Sequence, residues 1–177
     1  MKVAFLDRDG VINKETGYLY KISSFEFTYR CFEALSNIKN KGYEIIILTN
    51  QSGIARGYYS EDDFHALMNW VKSTLTNHQI SIKDIFFCPH HPNGVVKKYK
   101  KDCECRKPKP GMLLDAIKKH DIDMDSSFVV GDKISDVRAG FSAGIKNGYL
   151  VETGHPVDES HRVPIYSSLF SLSLELE

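Results

Sequence analysis

The chain predicts an α/β fold, a mostly parallel sheet with helices on both faces in the three-layer Rossmann-like arrangement. Three observations predict it. Short apolar runs stop at polar residues, amphipathic helical stretches separate them, and the alternation repeats along most of the chain. With 177 residues, one domain (1–177) can bury a core without covalent staples.

Taken in order, KVAFLD (2–7) reads as a buried strand that ends at a charged turn. Residues 29–41 form a helix, with Phe32, Leu35 and Ile38 at helical spacing and Gly42 as its stop. YEIIILT (43–49) is a second buried strand. Ser60 caps a helix whose Phe64, Leu67, Met68, Val71 and Leu75 share one face. DIFFC (84–88) is a third strand and residues 111–120 a further helix. SSFVVGD (126–132), a helix over 134–143 and NGYLV (147–151) complete the alternation. Beyond residue 152 comes a turn-rich piece, then a segment that reads equally as a short helix or a last strand.

Hydrophobic residues make up 42% of the chain, and 23 basic residues balance 23 acidic ones. Zero net charge advertises neither nucleic acid nor an anionic membrane as partner. The N-terminal apolar run, Val3 to Leu6, is too short for a signal peptide, and no run reaches membrane-spanning length. The expectation is a cytoplasmic protein, with no exposed apolar stripe that demands a partner and a monomer favoured. In that compartment clustered thiols read as metal ligands rather than disulfides.

Open parallel sheets bind ligands beyond the carboxyl ends of their strands. FLDRDGVIN puts Asp7 and Asp9 at one strand end, Thr49 and Asn50 follow another, and VVGDKISD puts Asp132 and Asp136 after a third. They meet in one crevice only if strands one, two and four are neighbours. So many carboxylates at one mouth repel unless a cation intervenes, and an oxygen site of this kind suits Mg²⁺. Carboxylates with Mg²⁺ invite phosphoryl transfer. Asp7 can attack phosphorus, Asp9 can act as acid and then base, and Thr49 with a lysine can bind the phosphoryl oxygens.

DRDGVIN, TNQSGIARG, RKPKPGM and VGDKISD, in this order, resemble the motifs of the haloacid dehalogenase superfamily of phosphatases. The resemblance implies that Asp7 is the nucleophile, Asp9 the acid/base, and Thr49 and Lys107 the groups that stabilise the transferring phosphoryl. It implies that Asp7, the Asp9 backbone carbonyl and Asp132 hold Mg²⁺, with Asp136 orienting Lys107 or a metal-bound water. No large insertion follows the first or second motif, so no separate cap domain is expected. GYLYKISSFEF, NQSGIARGYYSEDDF, CPHHPNG and CECRKPKPGML narrow the likeness to the D-glycero-D-manno-heptose 1,7-bisphosphate 7-phosphatase family over residues 3–153. That family places substrate recognition at Arg106, with Glu15, Thr16, Gly17, Tyr18, Thr49, Asn50, Gln51, Ser52, Lys107 and Lys133. The implied substrate is a small sugar bisphosphate, its distal phosphate taken by Arg106, and selectivity rests on residues 13–18, 52–57 and the cysteine loop.

That loop, over 88–105, holds Cys88, His90, Cys103 and Cys105, a closed N/S set for structural Zn²⁺. The resemblance places the imidazole at His90 and leaves His91 a solvated neighbour. With Lys97, Lys98, Lys100 and Lys101 on a polar loop that has no core of its own, zinc is expected to position Arg106 and Lys107. Cys31 reads as core. Two other functions compete: histidinol phosphatase, which shares the chemistry, and a zinc-ordered binding module.

Overall fold

The computed structural model describes residues 1–157 and 162–176; residues 158–161, within the turn-rich piece expected after residue 152, and residue 177 lie outside them. Six strands form one sheet: β1 (Val3–Leu6), β2 (Glu44–Asn50), β3 (Asp84–Cys88), β4 (Phe128–Gly131), β5 (Asn147–Val151) and β6 (Ile165–Tyr166). Their order is β3-β2-β1-β4-β5-β6, and every pairing is parallel. Leu6 pairs with Ile47 on one side and Val130 on the other, so β1 ends between β2 and β4. The condition left open by the sequence is met. Chain order reverses between β1 and β4, the switch point at which open sheets of this kind bind ligands.

The helices are α1 (Cys31–Asn40), α2 (Ser52–Ala55), α3 (Glu61–Asn77), α4 (Gly111–Lys119), α5 (Ile134–Ser142) and α6 (Leu169–Glu175). Alternate strand residues face opposite layers, as the pleat requires. Ala4, Leu6, Ile45 and Ile47 pack with the apolar faces of α1, α3 and α6. Val3, Phe5, Ile46 and Leu48 pack with α4 and α5. Ser60 caps α3 as expected: its hydroxyl accepts from Asp63 N at 3.1 Å, and Asp63 Oδ2 accepts from Ser60 N at 2.8 Å. Cys31 lies in the core.

Two departures concern short pieces. The 52–57 stretch begins with α2, which is too short to show a periodicity in sequence. The cysteine loop does have anchors of its own. The Val95 and Val96 amides donate to the Ala55 carbonyl at 2.8 and 2.9 Å, and Tyr99 packs on the larger core. Lys97, Lys98, Lys100 and Lys101 are exposed. Among the described residues no helix is long and apolar enough to cross a membrane.

The chain's last segment supplies both a strand and a helix. β6 covers the β5 edge, with Leu150 N donating to Pro164 O and Glu152 N to Tyr166 O, each at 3.0 Å. Ser168 caps α6, whose Leu169 and Leu172 are buried against α1. Leu172→Ala should lower stability to urea by about 2–5 kcal/mol, the range for a buried leucine truncation. Far from the strand mouths, it should leave kcat unchanged; a loss of kcat in the folded variant would show that α6 reaches the site.

Candidate active site

The carboxyl ends of β1 and β4 gather acidic groups around one buried amine. Lys107 Nζ lies 2.9 Å from Asp7 Oδ1 and 2.7 Å from Asp136 Oδ1, and donates to Leu48 O at 2.8 Å. The Lys107 backbone N–H donates to Asn50 Oδ1 at 3.1 Å, and Asn50 Nδ2 donates to Lys107 O at 3.2 Å. Burial disfavours the ammonium, but Asp136 and Asp7 outweigh it and hold Lys107 above its ordinary value. Asp136 sits in the first turn of α5, where its other oxygen accepts from Lys133 N at 3.0 Å.

Asp7 is pushed up to about 8, first by burial; Lys107 opposes this, while Asp136, Asp132 and Asp9 add to it. Among these groups the negative charge is in excess. Asp7, Asp132 and Asp136 each offer an oxygen within 4.8 Å of the others, and the buried Asp132 Oδ1 has no hydrogen-bond partner. An oxygen-only set with an orphaned buried carboxylate oxygen fits a hard divalent cation. Two glycines wall in Asp132. A Cβ on Gly10, whose φ is +82°, would stand 2.5 Å from Asp132 Oδ2, and one on Gly154 would stand 2.1 Å from it. His155 follows at once, its backbone N and Nδ1 lying 3.0 and 2.6 Å from the same oxygen.

Asp9 is gripped by an arginine with no solvent exposure. Arg8 Nη2 meets Asp9 Oδ1 at 2.8 Å and Oδ2 at 2.9 Å, and also donates to Leu19 O at 3.0 Å. Asn13 Nδ2 and Gln51 Nε2 donate to Asp9 as well, at 3.0 and 3.1 Å. Gln51 Nε2 donates in addition to Thr49 Oγ1 at 2.7 Å, and Gln51 Oε1 accepts from Tyr59 at 2.6 Å. Thr49 is fully buried beneath this amide and does not line the cavity.

Above these groups opens a cavity of about 390 Å³, walled by Glu15, Gly17, Tyr18, Asn50, Gln51, Ser52, Arg106, Lys107 and Lys133. Nine of the expected binding residues therefore share one space. Thr16 does not; it lines an adjoining surface hollow with Tyr20 and Lys21. Arg56, Tyr59, Ser135 and His155 join the wall without having been singled out in the sequence. The bend that presents Tyr18 needs left-handed backbone: φ is +75° at Gly17 and +48° at Tyr18. Glu15 Oε1 accepts from Gly17 N at 2.6 Å and braces it.

Cys88, His90, Cys103 and Cys105 offer ligand atoms within 4.8 Å of one another. Contact with Cys88, whose sulfur is 2.8 Å away, holds Cys105 at about 5, although burial opposes this. Three sulfurs and one imidazole nitrogen fit zinc rather than magnesium. His91 is not the solvated neighbour the sequence implied. It is half-buried, with Nδ1 accepting from Asn93 N at 3.1 Å and Nε2 lying 3.2 Å from Arg56 Nη2. Burial, then Arg106 and Arg56, push its pKa down.

An aspartate at a parallel-strand mouth beside a buried lysine, with further carboxylates across the switch point, defines a phosphatase of the haloacid dehalogenase class. The family profile described as polynucleotide kinase 3 phosphatase matches residues 2–153. A D-glycero-alpha-D-manno-heptose-1,7-bisphosphate 7-phosphatase of Photorhabdus laumondii is 54% identical, over 100% of this chain and 97% of its own. The D-glycero-beta-D-manno-heptose-1,7-bisphosphate 7-phosphatase of Escherichia coli K12 is 43% identical, over 86% of this chain and 80% of its own. The crystal structure of D,D-heptose 1,7-bisphosphate phosphatase from B. bronchiseptica, complexed with magnesium and phosphate, superposes with a TM-score of 0.84 at 28% identity, covering 99% of this chain and 98% of that one. The chain belongs to the heptose-1,7-bisphosphate 7-phosphatase family of the haloacid dehalogenase superfamily.

Gly154→Ala should displace Asp132, because the added methyl cannot fit beside Oδ2. The Mg²⁺ concentration for half-maximal activity should rise about tenfold or more, the scale of losses when groups supporting a metal ligand are disturbed. Circular dichroism should stay unchanged. An unaltered Mg²⁺ dependence would show that Asp132 does not depend on this packing.

Proposed function

We propose that the chain removes the 7-phosphate of D-glycero-D-manno-heptose 1,7-bisphosphate, yielding heptose 1-phosphate and inorganic phosphate. The observation that carries this reading is the meeting of Asp7, Lys107, Asp132 and Asp136 beneath a cavity sized for a small sugar ester. Asp7 attacks phosphorus, forming an aspartyl phosphate as the ester P–O bond breaks, and Asp9 gives a proton to the leaving sugar oxygen. Asp9 then takes a proton from the water that attacks this intermediate; phosphate leaves and Asp7 is restored. The Lys107 ammonium offsets charge on the transferring oxygens. Thr49 reaches them only if the Gln51 amide swings away, since that amide now covers its hydroxyl.

Asp7, Asp132 and the Asp9 carbonyl would hold Mg²⁺, with Asp136 engaged by Lys107. Bound Mg²⁺ would neutralise phosphoryl charge and favour the ionised form of Asp7. Cys88, His90, Cys103 and Cys105 would hold Zn²⁺ with no open position, a structural role.

Histidinol phosphate has no second phosphate for the cationic wall, so that wall favours the bisphosphate. An extended nucleic acid is disfavoured by zero net charge. Between anomers the α form is favoured. The relative named for it is 54% identical over this whole chain, whereas one named for the β form is 50% identical over 89% of it.

Asp7→Asn should abolish phosphate release. A carboxylate raised to about 8 is held mainly protonated at pH 7, so an uncharged amide should leave the metal-free fold at least as stable. Near-normal turnover by a folded Asp7→Asn variant would sink the aspartyl-phosphate mechanism.

Cys105→Ser should release zinc and raise KM for the bisphosphate about tenfold or more, with a smaller effect on p-nitrophenyl phosphate. Asn50, Leu48 and Asp136 hold Lys107 without the metal, so Arg106 is the residue set adrift. Unchanged bisphosphate kinetics in a variant shown by elemental analysis to lack zinc would remove the loop's positioning role.

A further inference from the structure

We infer that Arg56 and Arg106 together form the subsite for the distal phosphate of the sugar, and that His91 adds a donor to it beside Arg56. This rests on the heptose bisphosphate reading and narrows two stretches expected to carry selectivity, 52–57 and the cysteine loop, to Arg56 and His91. Arg56 follows directly after α2, on the cavity wall that also carries Arg106. Among the described residues neither guanidinium has a carboxylate within salt-bridge distance. Arg56 Nε and Arg106 Nη1 are buried without any hydrogen-bond partner. A buried N–H donor left without a partner is costly unless an anion arrives. By contrast, Arg8, the other arginine beside the cavity, is spent on Asp9.

The surroundings fix Arg56 without neutralising it. Its guanidinium carbon lies 5.8 Å from the centre of the Tyr18 ring, and Nη2 lies 3.2 Å from His91 Nε2. His91 Nδ1 accepts from Asn93 N, so in the neutral ring the proton sits on Nε2 and faces an arginine N–H. Two donors then confront each other with no acceptor between them, and a phosphate oxygen supplies one. His91 adjoins His90, one of the expected zinc ligands, so the cysteine cluster sets the position of His91 as well as of Arg106. Asp9 and Glu15 also line this cavity, but Asp7 and Asp136 line a smaller recess that neither Arg56 nor Arg106 lines. A doubly anionic sugar therefore has one orientation, with its reacting phosphate at Asp7 and its distal one between the arginines.

The test measures kcat and KM for heptose 1,7-bisphosphate and for heptose 7-phosphate in wild type, Arg56→Ala, Arg56→Lys and Arg106→Ala. A lost charge-assisted contact predicts roughly a ten- to hundredfold fall in kcat/KM for the bisphosphate in Arg56→Ala, carried by KM. Heptose 7-phosphate should change less than threefold. Arg56→Lys should recover part of the loss, because charge returns without the planar fork. His91→Ala should show the same substrate-selective rise in KM, smaller in size. Equal losses on both substrates, or none, would overturn the assignment. A second readout needs no heptose turnover. Fructose 1,6-bisphosphate should inhibit p-nitrophenyl phosphate hydrolysis more strongly than fructose 6-phosphate, and Arg56→Ala should erase that difference. Wild type that fails on heptose 1,7-bisphosphate yet shows this Arg56-dependent difference would refute the substrate and leave the subsite standing. A difference that survives Arg56→Ala, or that wild type lacks, would refute the subsite.

Discussion

The ammonium of Lys107, buried between Asp7 and Asp136, is the interaction on which the rest of the site depends. It is the cation that ties the end of β1 to the first turn of α5 and to the Leu48 carbonyl of β2. Losing the ammonium itself would cost about 3–5 kcal/mol, because the carboxylates packed around it would be left in the interior without a cation. One positive charge nevertheless does not balance the carboxylates around it, as the raised Asp7 shows. Structure and chemistry thus pull together: the excess of carboxylate at this mouth creates its demand for a divalent cation.

The two halves of the cavity obey opposite electrostatic rules. Near the strand ends, carboxylates outnumber cations and the fold recruits a positive ion. Toward the cysteine loop, guanidiniums lack acidic partners and the fold recruits a negative one. Soft donors gather at the loop and hard oxygen donors at the strand mouths, so the two clusters favour different metals. Asn50 joins these halves by bonding the Lys107 backbone through both ends of its amide.

Much of this was legible in the sequence because it was local. Each of the first five strands was an apolar run, Asp7 and Asp132 stand directly after two of them, and the pairs Cys88/His90 and Cys103/Cys105 lie close in the chain. What escaped depended on contacts across the fold. Arg56 looks like an ordinary loop arginine until α2 forms and His91 comes beside it. Arg8 lies within DRDGVIN but reads there as a charged turn residue, yet it is wholly buried against Asp9. Gly154 and His155 reach Asp132 only because β5 lies beside β4. α6 could not be told from a strand because Leu169, Phe170, Leu172 and Leu174 satisfy both periods over so few residues.

The packing of Asp132 between Gly10 and Gly154 has a consequence for biosynthesis. Chains emerge from the ribosome amino end first, and domains fold as units. Asp7 is made before the wall that seats Asp132, part of which comes from beyond β5. A nascent chain that has not yet released Gly154 carries Asp7 beside an Asp132 whose cage is unfinished.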